Sequence, residues 1–307
     1  MSAPDVRIYA PGSVGNVGPG LDILGLAVAG AGDTVAAAWH EGTAIVVLDA
    51  GHPELLRDAS RNTAAIAADA VRRRAGDSRG VALRVTKGLP LSGGQGGSAA
   101  SAVAGAVAAD ALLASGLDAT ALLECAMEAE ATVAGRHADN LAPSLLGGLV
   151  LVRSVAPMDV IRLPVPDGLR VVLVHPDQRL NTRDARAVLP ASVSRDVALH
   201  QAAHVAAMVA GACLGDLALL GRGLDDRIAE PARSALLPGF VAAQAAARAA
   251  GALGGSISGA GPTAFALTDG DTVGDDVLAA MLAAYAAAGV RATGRVAQVD
   301  HLGARRV

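Results

Sequence analysis

A glycine-rich segment in the first third of the chain has the composition of a backbone anion-binding loop. It reads Pro90-Leu-Ser-Gly-Gly-Gln-Gly-Gly-Ser-Ala-Ala100 and lies between a predicted strand, Val81 to Thr86, and a predicted Ala-rich helix, Ser98 to Leu113. Glycines let several backbone N–H groups converge on one anion, and the N-terminus of the helix adds partial positive charge. The segment therefore favours a polyphosphate ligand, with a turn that binds nothing as the alternative.

Two common phosphate-binding motifs do not fit this segment. A Walker A loop ends in Gly-Lys-Ser/Thr, whereas here Gly97 directly precedes Ser98. A dinucleotide fingerprint is formally present from Gly94 to Ala99, but the acid at the required distance, Asp118, lies between two predicted helices rather than at the end of a strand. A Walker A loop and a dinucleotide-binding motif are therefore both disfavoured.

Two further glycine-rich segments accompany this loop, one near each end of the chain. They run from Ala10 to Asp22 and from Ser256 to Thr263. In order and spacing, the three segments resemble the motifs of the GHMP kinases. The resemblance implies an α+β fold of two domains, with an N-terminal ribosomal-S5-like α/β domain at 1–156 and a C-terminal ferredoxin-like domain at 157–307.

Three other segments resemble one branch of that family, the homoserine kinases. They are Gly135 to Gly148, with His137-Ala-Asp-Asn140; Asn181 to Pro190; and Asp226 to Gly239. The resemblance implies ATP-dependent phosphorylation of the hydroxyl of L-homoserine, with Mg²⁺ as the cofactor. Other GHMP kinases, acting on mevalonate, a sugar or pantoate, remain an alternative, as does a non-catalytic binder of the same fold.

The resemblance also implies a set of site residues. The catalytic residues are Asn140, Glu130 and Ser98, of which Ser98 and Glu130 also hold the metal. The ATP-binding residues are Asn62, Pro90, Leu91, Ser92, Gly93, Gly94, Gln95, Gly96, Gly97, Ser98, Ala99, Ala100, Ser258 and Gly259. The substrate-binding residues are Asn16, Asp22, His137, Asn140, Arg186, Arg233 and Gly259.

The acceptor's chemistry explains several of these residues. Its carboxylate calls for planar bidentate donors, which Arg186 and Arg233 carry, and its ammonium calls for a carboxylate such as Asp22. The family resemblance, rather than this chemistry, implies that Asn140 faces the reacting hydroxyl and that no general base is present. Asp139 is not expected to act as a general base, because phosphoryl transfer depends mainly on positioning and charge stabilisation.

The sequence departs from the family pattern inside the phosphate loop. Gln95 replaces the usual leucine, and Gly97 replaces the first of two serines. Ser98 alone then remains as the serine ligand of the metal, so the composition of the metal shell is left open. The competitor of Glu130 for the metal is Glu128, two residues earlier on the same predicted helix.

The composition bears on partners and location. The formal net charge is -4, and no basic run exceeds Arg72-Arg73-Arg74, so no nucleic-acid partner is predicted. The N-terminal segment lacks an apolar signal region, and no uninterrupted apolar run has the length of a membrane span, so a cytoplasmic protein without a membrane partner is predicted. A homodimer is compatible with the sequence.

For three residue types, cysteine, histidine and lysine, no catalytic role is predicted. Cys125 and Cys213 lie in apolar helical runs and predict buried thiols. His200 and His204 have the i, i+4 spacing of a zinc pair, but no Glu completes an HExxH motif, so packing histidines are favoured. Lys87, the single lysine, is attributed to codon usage.

Overall fold

The computed structural model describes residues 6–133 and 135–307, which form two β-sheets covered by helices. Residues 1–5 lie outside the described residues. They belong to the N-terminal segment in which no apolar signal region was found. The strands are β1 (Val6–Gly15), β2 (Leu24–His40), β3 (Ile45–Asp49), β4 (Gly80–Thr86), β5 (Leu149–Val155), β6 (Met158–Leu163), β7 (Leu169–Pro176), β8 (Gly254–Ile257), β9 (Ala264–Asp269), β10 (Ala292–Gln298) and β11 (Arg305–Arg306). The helices are α1 (Thr63–Arg74), α2 (Gly97–Leu113), α3 (Ala119–Val133), α4 (Leu141–Leu146), α5 (Thr182–Ala187), α6 (Arg195–Leu214), α7 (Leu217–Arg222), α8 (Ala229–Ser234), α9 (Phe240–Ala249) and α10 (Asp271–Ala287). This arrangement confirms the α+β class.

The first sheet is built around the long strand β2. It pairs with β1 along one side, while on the other side Leu24–Leu26 pairs with β5 and Thr34–His40 pairs with β4. The sequence predicted two strands here, Leu21 to Ala27 and Thr34 to Trp39, and that division is wrong. The intervening Gly30-Ala-Gly32 interrupts the apolar pattern without breaking the strand, because β1 pairs with the chain on both sides of it.

Helices α1 to α4 cover one face of this sheet, and α2 is packed very closely against α1. A Cβ atom on Gly105 would lie 2.3 Å from the carbonyl oxygen of Ala64, so only glycine allows this approach. Most of α2 is buried alanine. The small side chains thus bring the helix, and the phosphate loop at its N-terminus, deep into the domain.

The second sheet is antiparallel, in the order β10-β7-β9-β8, and buries both of its faces. Successive side chains of a strand point to opposite faces. On β7, Val171 and Leu173 pack in a core shared with Leu24 and Leu26 of the first sheet, whereas Val172 and Val174 pack against α9 and α10. One apolar core therefore joins the two sheets.

The boundary predicted between residues 156 and 157 falls in the turn between β5 and β6, which pair with each other in the first sheet. The chain leaves this sheet after Leu163, and β11 returns to pair with β1. We therefore propose a later crossing, between Leu163 and Leu169, with the last two-residue strand completing the N-terminal domain.

Among the described helices, α6 alone has the length and apolarity of a membrane span. It nevertheless carries the buried Gln201, whose amide nitrogen donates to the carbonyl oxygen of Pro19 at 3.2 Å and to Asp226 at 3.0 Å. Because these contacts fix the helix to two other segments, we assign α6 to the folded domain.

Candidate active site

A cleft of about 500 Å³ lies between the two sheets and gathers most of the predicted site residues. It is lined on one side by the phosphate loop and on the other by segments from both domains. The predicted residues along it are Asn16, Asp22, Asn62, Pro90, Leu91, Ser92, Gly93, Gly94, Gly96, Gly97, Ser98, Glu130, His137, Asn140, Arg186, Arg233 and Gly259.

Four predicted ATP-binding residues do not line the cleft. Ala99 and Ala100 point into the core, and the backbone N–H of Ala100 already donates to the carbonyl oxygen of Gly96 at 2.9 Å. Gln95 and Ser258 are buried beside the loop rather than in the cleft. Any contact of these four with a nucleotide stays a prediction, and Ala100 has the least support because its donor is in use.

The phosphate loop adopts backbone angles that require its glycines. Gly94 and Gly96 have φ values of 72° and 69°, in the left-handed region that glycine enters without steric cost. Gly96 is the N-cap of α2, so the loop runs directly into the helix N-terminus, where Gly97 and Ser98 line the cleft. The unpaired N–H groups of a helix N-terminus suit an anion there.

The loop is fastened to the C-terminal glycine segment by three side chains. Ser258 Oγ donates to the carbonyl oxygen of Gly94 at 2.6 Å, and Thr263 Oγ1 donates to that of Gly93 at 2.5 Å. Gln95 Nε2 lies 3.4 Å from Thr263 Oγ1. The glutamine that departs from the family pattern thus joins the two loops, a role that its place in the sequence does not reveal.

Glu130 and Ser98 form the oxygen pair predicted to hold Mg²⁺. Ser98 Oγ donates to Glu130 Oε2 at 3.2 Å. Burial, reinforced by the Asp139 carboxylate, raises the pKa of Glu130 to about 7. A divalent cation would compensate a negative charge buried this deeply, and hard oxygen donors suit Mg²⁺, so the two residues fit the ion.

The competing acid, Glu128, is exposed and turned away from the cleft. Its Oε2 accepts a hydrogen bond of 2.5 Å from Arg73 Nη2 on α1. An exposed ion pair between neighbouring helices explains this residue without a metal.

The sequence analysis attributed the single lysine, Lys87, to codon usage and gave it no role. The structure gives it a structural role. Its ammonium contacts the fully buried Asp33 carboxylate, the Ser101 hydroxyl at 3.0 Å and the carbonyl oxygen of Gly97 at 2.9 Å. Asp33 also accepts from the backbone N–H of Gly88 at 3.1 Å. This paired network lies beneath the first turn of α2, and it anchors both ends of the phosphate loop. A lone lysine just before a glycine-rich loop was the only available signal.

Asp22 and Arg186, predicted to bind opposite ends of the acceptor, are paired with each other. Arg186 Nη2 and Nη1 lie 2.7 and 3.3 Å from the two carboxylate oxygens of Asp22. His137 Nδ1 lies 3.3 Å from the same carboxylate. Burial lowers the pKa of His137 and outweighs the opposing effect of the Asp22 carboxylate. The neutral imidazole is therefore favoured. The three side chains make a preorganised polar patch in which both charges needed for a zwitterion are present.

Arg233 is almost completely buried, and part of its guanidinium is engaged. Nε donates to the carbonyl oxygen of Ala185 and Nη1 to that of Gly259, each at 3.0 Å. The Nη2 group and one Nη1 hydrogen remain for a ligand in the cleft. Arg233 therefore also holds α5 and the C-terminal glycine segment in place, a structural role that was not predicted.

Asp139 lines the cleft and supports the backbone of the site. Its Oδ2 accepts the N–H of Asn16 at 2.9 Å, and burial raises its pKa to about 7, with Asp22 as a smaller cause. A Cβ atom on Gly15 would lie 2.4 Å from this carboxylate. Asn16 in turn donates to the carbonyl oxygen of Gly259 at 2.9 Å and accepts the N–H of Asp22 at 2.8 Å.

Asn140 lies where the loop and the acceptor side meet. Its Oδ1 accepts a hydrogen bond of 3.0 Å from Ser13 Oγ. Since an amide oxygen engaged in this way fixes the orientation of the group, the Nδ2 donors have a defined direction. Ser13 was not predicted, and nothing in its serine-containing segment distinguishes it from its neighbours.

Asn62 is the N-cap residue of α1. Its side chain accepts from the N–H of Ala65 at 3.3 Å and donates to the carbonyl oxygen of Leu56 at 3.2 Å. These bonds explain its position at the end of the cleft, and its contact with a nucleotide stays a prediction.

Comparison with family models matches both halves of the chain. The model described as the GHMP kinases N terminal domain matches residues 62–148, and that described as GHMP kinases C terminal matches residues 208–287.

Comparison with individual proteins is consistent with these matches. A homoserine kinase of Chlorobium phaeobacteroides is 40% identical over 254 residues, covering 78% of this chain and 79% of the relative. A homoserine kinase of Xanthomonas campestris is 38% identical over 79% of this chain and 75% of its own length. The crystal structure of homoserine kinase from Cytophaga hutchinsonii superposes with a TM-score of 0.94 at 39% identity, covering 98% of this chain and 97% of that one.

Proposed function

The chain belongs to the homoserine kinase branch of the GHMP kinases, and we propose that it transfers the γ-phosphate of ATP to the terminal hydroxyl of L-homoserine. The product would be O-phospho-L-homoserine, an intermediate of threonine biosynthesis. Kinase activity itself follows from the family; the acceptor and the roles of single residues are the proposal.

One observation carries the proposal: a single cleft holds both an anion-binding loop and a zwitterion-binding patch. The loop and the N-terminus of α2 suit a polyphosphate, and the patch of Asp22, Arg186 and Arg233 suits an ammonium beside a carboxylate. An amino acid with a terminal hydroxyl satisfies both parts. Mevalonate and simple sugars have no ammonium for the acidic residue.

The acceptor competes for a pair that already exists. Asp22 and Arg186 satisfy each other in the described structure, so an incoming carboxylate and ammonium must share or replace that ion pair. A neutral acceptor would offer nothing in exchange, because separating these partly buried charges would leave each one without its partner. This cost favours a substrate that has both charges, which is a basis for selectivity.

The residues supply positioning and charge rather than covalent chemistry. The loop N–H groups hold the phosphates, Ser98 and Glu130 would hold Mg²⁺, and Asn140 orients the hydroxyl. When bound there, Mg²⁺ would offset the negative charge that the phosphate oxygens carry. Asp139 also lines the cleft, but its carboxylate accepts the backbone N–H of Asn16, so we assign it a supporting role rather than that of a base.

A steady-state assay of ADP release tests the acceptor. L-homoserine should give the highest kcat/KM among L-homoserine, L-serine, L-threonine and mevalonate, each with saturating ATP and Mg²⁺. L-serine is the matched control, because it carries the same zwitterion on a shorter chain and should bind without placing its hydroxyl. A higher kcat/KM for mevalonate would transfer the assignment to another GHMP kinase. The cytoplasmic location, the absence of nucleic-acid and membrane partners, and a homodimer all stay predictions.

A further inference from the structure

His200 and His204 lie one turn apart on α6, some distance along the chain from any residue of the cleft. Their rings stack with centroids 3.7 Å apart and an interplanar angle of 27°. The structure adds a third group that the sequence reading did not connect to them. Asp225, from the segment after α7, brings its carboxylate to the same point, and one ligand atom from each residue lies within 4.8 Å of the other two.

The spacing of these atoms is close to that of a tetrahedral metal site. Zinc binds imidazole nitrogen and carboxylate oxygen at about 2.0–2.2 Å, which places neighbouring ligand atoms of a tetrahedron roughly 3.4 Å apart. Asp225 Oδ2 lies 3.3 Å from His200 Nε2 and 3.9 Å from His204 Nε2. These two distances differ from the tetrahedral value by about 0.1 and 0.5 Å.

The hydrogen bonds of His204 favour the metal-binding tautomer. Its Nδ1 lies 2.8 Å from the backbone carbonyl oxygen of His200. A carbonyl oxygen only accepts, so Nδ1 carries the proton and Nε2 presents its lone pair. Metal-bound histidines are usually oriented by such a bond from the second ring nitrogen. His200 differs, because its Nε2 lies 3.2 Å from the backbone carbonyl oxygen of Asp225 and so carries the ring proton in the metal-free protein. Metal binding at this nitrogen requires that proton to shift to Nδ1.

The surroundings leave room for a cation and its remaining ligand. Asp225 is about half exposed, so a water molecule can reach the fourth position. Arg227 is the positive group near the cluster, with Nη2 3.9 Å from Asp225 Oδ2. Its side chain is more than half exposed, so it can turn to solvent when a cation binds.

We propose that His200, His204 and Asp225 bind one Zn²⁺ ion. Two imidazoles and one carboxylate are the donor set of a borderline cation, whereas Mg²⁺ prefers oxygen ligands throughout. The site is thus distinct in place and in chemistry from the oxygen pair of the cleft. Its open fourth position is of the kind that metal sites with three protein ligands keep for water.

Binding would fasten the segment after α7 to α6. The next residue, Asp226, accepts the backbone N–H groups of Ile228, Ala229 and Glu230 at 2.8–3.1 Å and so holds the start of α8. Helix α8 carries Arg233 into the cleft. A Zn²⁺ ion one residue before this cap would therefore stabilise a segment on which the acceptor side depends.

Titration of the metal-free protein with Zn²⁺ alone tests the proposal, followed by calorimetry and with Mg²⁺ present in excess. One ion should bind per chain and raise the temperature of unfolding. His204→Gln and Asp225→Asn, which nearly preserve side-chain size, should each weaken Zn²⁺ binding at least tenfold. His40→Gln and Cys213→Ser are matched controls, since both remove an exposed metal-binding group elsewhere, and they should bind Zn²⁺ as the parent protein does.

A second measurement needs no substitution in the cluster. Co²⁺ bound to the Cys213→Ser protein should show the intense visible absorption of a tetrahedral site, and Zn²⁺ should displace it at one equivalent. Failure to bind Zn²⁺, an octahedral Co²⁺ spectrum, or binding that survives His204→Gln and Asp225→Asn in folded protein would each overturn the proposal.

Discussion

Glu130 and Glu128 lie on the same helix and meet opposite surroundings. Glu130 is buried in the cleft against Ser98, whereas Glu128 forms an exposed ion pair with Arg73. The sequence left the choice between them to the resemblance. Their different burial supplies a physical reason for that choice, because only a carboxylate inside the cleft can reach a cation between phosphates.

Glu130→Gln should therefore lower kcat and raise the Mg²⁺ concentration needed for half-maximal rate, since the ion loses a charged oxygen ligand. Glu128→Gln is the matched control on the same helix and should leave both quantities nearly unchanged. Initial rates over a series of Mg²⁺ concentrations measure both. Equal effects of the two substitutions would contradict the assignment of Glu130 as a metal ligand.

Asp139 and Asn140 are adjacent, and we assign them different roles. Asp139 supports the backbone of Asn16, and an asparagine side chain at position 139 would offer an oxygen to the same N–H. Asn140 has a fixed amide that faces the acceptor hydroxyl in our proposal. Loss of that group should misplace the reacting oxygen, at a cost of roughly a hundredfold in kcat.

We thus expect Asp139→Asn to keep measurable turnover and Asn140→Ala to lose roughly a hundredfold. The pH dependence separates the roles further. A general base with a pKa raised to about 7 must be deprotonated to act, so kcat would fall as the pH drops below 7, and Asp139→Asn would abolish turnover. In our account the acidic limb of the pH–rate profile comes from Glu130, whose pKa is also raised to about 7 and which must be ionised to hold Mg²⁺, so the limb persists in Asp139→Asn. A folded, inactive Asp139→Asn protein beside an active Asn140→Ala protein would contradict it.

At the scale of the elements, the phosphate loop depends on a connection to strand β9. Thr263, just before this strand, donates to the carbonyl oxygen of Gly93. Thr268, further along β9, is equally buried and donates to the carbonyl oxygen of Gly270 at 3.3 Å, far from the loop. The two residues form a matched pair for the contribution of this connection.

Thr268→Val should cost on the order of 1 kcal/mol of stability, the usual value of a lost buried hydrogen bond. Thr263→Val should cost more, because its hydroxyl also contacts Gln95 and His175. Only Thr263→Val should also raise the KM for ATP several-fold, because the loop that holds the phosphates loses its connection to β9. Denaturant unfolding and steady-state kinetics measure the two effects. An equal rise in KM for both variants would assign the effect to general destabilisation.

The sequence predicted the elements with clear periodicity. Strand β4 and helix α2, predicted at Val81 to Thr86 and Ser98 to Leu113, each begin one residue before the predicted range and end where it ends. Short helices were missed: α4, α5 and α8 have six residues each, too few to show a 3.6-residue period. The ten-residue α9 was also missed, and β11 is too short for any pattern and exists through its pairing with β1.

The site was predictable where a motif carries chemistry and not where the fold supplies a partner. Asp22, Arg186 and Arg233 were identified from motifs, and all line the cleft. That Asp22 and Arg186 pair with each other depends on residues 164 positions apart, and no local pattern encodes this. Lys87 was misread for the same reason, because Asp33 becomes its partner only in the folded sheet. Cys213 was predicted to be buried and is exposed.

At the scale of the whole molecule, the core between the two sheets joins the two domains. Leu24 and Leu26 of β2 share this core with Leu173 of β7 and Phe265 of β9. Neither sheet can lose its partner without exposing these side chains to water. The two domains should therefore unfold together.

Leu26→Ala tests this coupling, because the side chain is 1% exposed. The substitution should cost about 2–5 kcal/mol, as large-to-small changes in cores do, and unfolding should stay a single transition. Fluorescence of Trp39, which lies in the first sheet, and far-UV circular dichroism should report the same midpoint. Leu302→Ala is the control, since that leucine is 71% exposed and should change stability by no more than about 0.5 kcal/mol. Separate midpoints in the parent protein would show that the domains unfold independently.

The central claim, phosphorylation of the amino acid on its terminal hydroxyl, is tested most directly by the structure of the product. The protein is incubated with ATP, Mg²⁺ and L-homoserine, and the product is analysed by ³¹P NMR with proton correlation. The account predicts one phosphate ester whose phosphorus couples to the terminal CH₂ protons, and Asn140→Ala should form it far more slowly. A phosphorus signal without coupling to those protons, or ATP hydrolysis to free phosphate with L-homoserine recovered unchanged, would contradict it.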